Sequence, residues 1–158
     1  MTAVDYLFVY GTLRSVSANE MQGLLRQHAE LVAGADVRGT LYDLGEYPGL
    51  VADREASATV RGEVYRLRPD AAQQTLRELD AYEGCGPDDP EPHEFVRAQI
   101  PVRLDTGGVV EAWAYLLTRD ATGLRRIASG DYFETKSSGR PARVAERPPR
   151  FRGRPGHA

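Results

Sequence analysis

Two features of this chain have residue types and spacings suited to chemistry. Ala72, Leu76, Leu79 and Glu83 are spaced four, three and four apart, which places them on one face of a helix. Three are apolar and the fourth is a carboxylate. An acid on a core-facing stripe is costly unless it is paired or its task needs a raised proton affinity. Glu83 is therefore the leading candidate for a general acid/base. Periodicity equally allows fraying after Tyr82 to turn Glu83 out to solvent. The second feature is Tyr10-Gly11-Thr12-Leu13-Arg14. A glycine directly after a buried strand lets successive N–H groups face one cavity, a nest that binds a carboxylate or an oxyanion without side chains. A plain turn gives the same pattern, and Arg14 either pairs with an anion or stands in solvent.

Other reactive residue types are dispersed. Tyr47, Pro48, Gly49 and Leu50 read as a turn carrying an aromatic ring. His28, His93 and His157 share no ligand spacing, so no metal site is expected. Cys85, the single cysteine, lies two residues past Glu83 with no histidine nearby in sequence, and reads as an incidental thiol rather than a nucleophile. Neither a phosphate-binding or dinucleotide glycine loop nor a G-x-S-x-G elbow is present.

The elements that must position these groups alternate between strand and helix signals. Val4 to Tyr10 is β-branched and aromatic on both faces apart from Asp5, and Gly11 stops it, so it reads as a strand buried on both sides. Ser17 and Glu20 have capping-box spacing, with Val16 and Met21 as a staple, and open a helix to about Ala29 bearing Met21, Leu24, Leu25 and His28. Gly34 is expected to end that region. Val37 to Tyr42 reads as a strand ended by Gly45 and Pro48, and Ala58 to Leu67 as another. Asp70 with Gln73 is expected to cap a helix running to about Tyr82 and closed by Gly84. Residues 86–94 form a polar, proline-rich loop. Phe95 to Leu104 and Val109 to Thr118 make a hairpin around Asp105 to Gly108, and Ala121 to Ile127 a short helix. This order predicts an α+β domain with a substantial antiparallel share.

In combination these segments resemble the γ-glutamylcyclotransferase family, including its AIG2-like and γ-glutamylamine cyclotransferase members. The resemblance rests on Phe8 to Arg14, Tyr47-Pro48, Gly62 to Tyr65 and Leu79 to Gly84 in that order. Phe95-Val96-Arg97, where many members have a leading Tyr, Trp113-Ala114-Tyr115 and Ser129 to Tyr132 extend it over residues 5–135. It implies a single small domain, a mixed, largely antiparallel barrel-like sheet with two main helices and a central cavity. It also implies a cofactor-free reaction in which the α-amine of a γ-glutamyl group attacks its own side-chain amide, releasing 5-oxoproline and an amine. Carried over residue by residue, Tyr10, Gly11, Thr12 and Leu13 bind the glutamyl part through their backbone, and Glu83 is the proton acceptor. The partner is then a small γ-glutamyl amine or amino acid. The alternatives are an AIG2-like binding module without turnover and an interaction protein that docks through its tail.

Bulk properties are close to those of an ordinary globular chain. The chain has 158 residues, 41% hydrophobic and 27% charged, with 20 Lys+Arg against 23 Asp+Glu. That length fits one domain. Residues 137–158 hold six arginines, four prolines and one acid, a net +5 that leaves −8 on residues 1–136. The division is a domain at 1–136 and a basic tail at 137–158, read either as an arm for an anionic partner or as a loosely packed terminus. A −8 body is a poor nucleic-acid surface. One cysteine suits a reducing compartment, so a cytoplasmic location is expected, and no apolar run is long enough for a membrane span.

Overall fold

The computed structural model describes residues 5–11 and 20–133. The Ser17–Glu20 capping box, Thr12, Leu13, Arg14, His157 and the 137–158 tail lie outside the described residues, apart from the backbone of Glu20. The elements in chain order are β1 (Tyr6–Val9), α1 (Glu20–His28), β2 (Ala29–Asp43), β3 (Pro48–Ala52), β4 (Thr59–Leu67), α2 (Ala72–Glu83), β5 (Phe95–Leu104), β6 (Val109–Leu117) and β7 (Arg125–Arg126).

The strands form one mixed sheet ordered β1-β4-β2-β3-β6-β5, and further pairings of β1 with β6 and β2 with β5 close it. β1 runs antiparallel to β4, with Phe8 opposite Val64, and parallel to β6, with Leu7 opposite Trp113. Leu7, Phe8, Val9 and Tyr10 are all fully buried, as expected of a strand apolar on both faces and flanked on both edges. β5 and β6 form the predicted hairpin over nine register pairs from Phe95–Leu117 to Arg103–Val109. Among the described residues no helix is long and apolar enough to cross a membrane.

Four local expectations are corrected. Gly34 does not end a segment but sits inside the fifteen-residue β2. A Cβ there would collide with the guanidinium of Arg61 and the carboxylate of Asp105, so this glycine serves a close approach across the strand. Pro48, Gly49 and Leu50 belong to β3, not to a turn, and pair with Asp43, Tyr42 and Leu41. Proline is tolerated as the first residue of a strand, and the turn itself is closed by the Leu44 N–H on the Tyr47 carbonyl at 2.9 Å. Asp70 does not cap α2. Ala71 does so without a side-chain bond, because the first helical hydrogen bond runs from the Thr75 N–H to the Ala71 carbonyl. Finally, Ala121 to Ile127 is not helical. Gly123 takes φ +86°, and Arg125 and Arg126 pair with Asp43 and Tyr42. Seven residues, about two turns, nucleate a helix poorly, and strand pairing prevails.

Candidate active site

The site is assembled on the inward face of α2. Leu76 and Leu79 are buried, with Thr75 beside them, and Glu83 is 0% exposed at the last helical residue. The helix does not fray. Gly84 adopts the left-handed conformation (φ 79°, ψ 22°); its N–H bonds the Ala81 carbonyl at 3.2 Å and the Cys85 N–H bonds the Asp80 carbonyl at 2.9 Å. This pair of bonds is a Schellman motif, and it satisfies carbonyls that a helix end leaves open. The inward alternative for Glu83 is therefore the observed one.

The last turn of α2 is also held from outside. Asp80 receives Nε of Arg97 on Oδ1 at 2.7 Å and Nη2 on Oδ2 at 3.0 Å. The Tyr115 hydroxyl donates to Oδ1 as well, at 2.7 Å. The guanidinium of Arg97 lies 4.3 Å from the centre of the Trp113 ring, a cation–π contact. One helix residue is thus tied to β5 and β6 by three charge-assisted bonds, the strong class of hydrogen bond. Asp80, Arg97 and Tyr115 lay inside the segments that carried the resemblance, yet sequence reasoning gave them no role. The available signal was an acid three residues before Glu83 and an arginine near the start of the following strand.

Tyr10 reaches the same region from β1. Its hydroxyl donates to the Tyr115 carbonyl at 2.5 Å and accepts from the Leu50 N–H at 3.3 Å. β3 and β6 pair in parallel at Leu50 and Leu116, so the phenol is inserted into the seam between them. The Tyr10 side chain is a structural tie in the barrel wall. Gly11 follows it and is buried.

Electrostatics show which groups surround Glu83. Burial pushes the Tyr10 hydroxyl well above the usual tyrosine range, and the Glu83 charge pushes it further. Tyr115 is raised by burial first, then by Asp80 and Glu83. The Cys85 thiol is pushed up to about 12, mainly by burial and then by Asp80 and Glu83. Both phenols and the thiol therefore stay neutral near pH 7. Cys85 has the properties of an incidental thiol, since nucleophilic cysteines need the thiolate.

The remaining candidates lie elsewhere. Tyr47 donates to Glu94 Oε1 at 2.6 Å, and its ring packs on Phe95 with centroids 6.0 Å apart. His93 Nε2 lies 3.2 Å from the Asp89 carbonyl oxygen, and His28 ends α1. Among the described residues no group of three or more His, Cys, Asp or Glu side chains could hold a metal ion. What the arrangement offers chemically is one carboxylate withdrawn from water among neutral phenols. Withdrawal from water favours the protonated form of a carboxyl group, which suits a proton acceptor.

The family model for γ-glutamyl cyclotransferase, AIG2-like, matches residues 7–134. The γ-glutamylcyclotransferase family protein YtfP of Escherichia coli is 36% identical over 129 residues, 81% of this chain and 96% of that protein. The solution structure of Escherichia coli YtfP superposes with a TM-score of 0.56 at 34% identity, covering 82% of this chain and 97% of that one. An AIG2-like protein from Mus musculus shares the fold with a TM-score of 0.67 at 24% identity, covering 96% of this chain and all of that one.

Proposed function

The chain belongs to the γ-glutamyl cyclotransferase, AIG2-like family, and from that premise we propose that it converts a γ-glutamyl amine or γ-glutamyl amino acid to 5-oxoproline and a free amine. The observation that carries this reading is Glu83, fully buried at a capped helix end. In the proposed reaction the backbone of Tyr10, Gly11, Thr12 and Leu13 holds the glutamyl part. Glu83 takes a proton from the α-ammonium, and the freed amine attacks the γ-carbonyl carbon. The carbonyl electrons move to oxygen, and backbone N–H groups stabilise that oxyanion. Collapse of this intermediate breaks the original amide C–N bond as the leaving nitrogen takes the proton from Glu83; the ring nitrogen, cationic after attack, then gives its second proton to the regenerated Glu83 carboxylate, and the released amine carries that proton away as an ammonium. Ring closure is intramolecular, so the substrate itself supplies the proximity.

The test is mass spectrometry for 5-oxoproline across a panel of γ-glutamyl amines and γ-glutamyl amino acids incubated with the full chain. Release of 5-oxoproline with stoichiometric free amine is expected for at least one class. Saturable binding of such a compound with no product would instead assign a binding module without turnover.

A further inference from the structure

A cleft of about 530 Å³ opens on a different part of the barrel from Glu83, and its lining includes Arg38, Arg54 and Arg103. It sits where β2 passes its free edge from one partner to another. Ala35 and Asp36 pair with Leu104 and Arg103 of β5, whereas Gly39 to Asp43 pair with β3. The fork between β5 and β3 leaves a hollow floored by Val37, Ala52 and Ile100, with Pro101 and the 66% exposed Val109 at its side. The volume lies within the range of small-ligand sites, about 300–1,000 Å³.

The three arginines are brought to this hollow by the backbone. Arg103 stands directly opposite Asp36 in register. Arg38 follows Asp36 by two residues, so it projects from the same face about 7 Å further along β2. The Arg38 carbonyl accepts the N–H of Asp53 at 3.0 Å, which seats Arg54 next to it. All three side chains are exposed.

The nearby carboxylates are engaged elsewhere. Asp36 contacts Arg61 at 3.3 Å, although Arg103 faces it across the strands. Arg61 is in turn held by both oxygens of Asp105. Asp53 turns its Oδ1 to the Glu55 N–H at 2.9 Å. Among the described residues none of Arg38, Arg54 and Arg103 has a carboxylate partner; Arg38 donates only to the Ala56 carbonyl, at 3.4 Å. Asp36 and Asp53 also line the cleft, which leaves its lining a net +1 with the three arginines, on a body whose residues 1–136 sum to −8. Guanidinium groups present planar forks that match carboxylate and phosphate oxygens.

We propose that this cleft is a second ligand site, which takes a small organic anion carrying two or more carboxylate or phosphate groups on a compact apolar body. The arginines engage the acidic groups, and Val37, Ile100 and Val109 receive the apolar part. Because the arginines are exposed, binding weakens as ionic strength rises. The site is independent of the proposed turnover at Glu83.

The test is calorimetric titration of the full chain with citrate and, separately, with pyrophosphate, at low and at physiological salt. Saturable one-to-one binding of at least one probe is expected, and the preferred probe distinguishes carboxylate from phosphate. Arg54→Ala and Arg103→Ala should each weaken it at least about fivefold, and Arg54→Glu, a charge reversal on an exposed turn, more strongly. Arg77→Ala, on the exposed side of α2, and Glu83→Gln should leave it unchanged, which separates this cleft from the Glu83 site. Absence of binding by both probes at millimolar concentration would overturn the proposal. So would binding that survives Arg54→Glu, or binding that Glu83→Gln abolishes.

Discussion

Asp80 of α2 and Arg97 of β5 meet through both carboxylate oxygens, at 2.7 and 3.0 Å, one helical turn before Glu83. The pair is mostly shielded, with the side chains 16% and 23% exposed. A partner removed from such a pair leaves the other charge half-buried and uncompensated. Asp80→Ala should therefore destabilise the fold by about 2 kcal/mol, read as a shift of the urea midpoint. Arg97→Lys keeps the charge but loses the fork, and should recover only part of that loss. A change below about 0.5 kcal/mol for Asp80→Ala would place the pair with ordinary surface ion pairs.

Tyr10→Phe keeps the ring but removes the hydroxyl that bridges β3 and β6. The Tyr115 carbonyl and the Leu50 N–H are then left without that bond in a buried seam. The expected cost is about 1–3 kcal/mol. Hydrogen exchange at the Leu50 amide should accelerate by more than at amides of the β5–β6 hairpin. Unchanged Leu50 protection would show that the seam closes without the phenol.

The same geometry sets an alkaline limit. Tyr10 and Tyr115 are raised above the ordinary value of 10.0, chiefly by burial. Above pH 10 the unfolded chain ionises these phenols while the folded chain keeps their protons. The unfolded state then binds fewer protons, so stability falls as pH rises. Below pH 10 the contribution is complete. Above it, each phenol should remove about 1.4 kcal/mol of stability per pH unit. Denaturant midpoints measured from pH 8 to 11 check this. A flat profile above pH 10 would contradict the burial of both hydroxyls.

Cys85 should be slow to react. Its thiol is pushed up to about 12 from an ordinary 9.0, so its thiolate fraction at pH 8 is lower by roughly a thousandfold. Alkylation by iodoacetamide, followed by mass, should be slower by a comparable factor in the native protein than in urea. A native rate within tenfold of the unfolded one would mean the thiolate is accessible.

What could be read from the chain divides by the range of the interaction. Strand β1, helix α2 with its Gly84 cap, and the β5–β6 hairpin were legible because each is specified by local pattern and turn chemistry. The course of β2 through Gly34 was not, since that glycine answers to Arg61 and Asp105, which are distant in sequence. Strand β3 was hidden for the same reason: Pro48 and Gly49 read as a turn locally and become a strand only when β2 offers an edge. Glu83 stood out because helical periodicity puts it among apolar residues. Whether it faced inward could not be decided there, because the anchors Asp80, Arg97 and Tyr115 converge only in three dimensions.

The proposed reaction makes Glu83 the proton acceptor of a cyclisation. Glu83→Gln keeps size and most hydrogen-bonding capacity while removing that function. Turnover to 5-oxoproline and thermal unfolding should be measured on one preparation of this variant, with the γ-glutamyl compound that the wild-type chain turns over best. Turnover should fall by a factor on the order of 10²–10⁴, with substrate binding retained and stability unchanged or raised, since a buried charge has been removed. Near wild-type 5-oxoproline release by a folded Glu83→Gln protein would contradict the claim, as would a loss of activity that merely follows a loss of folded protein.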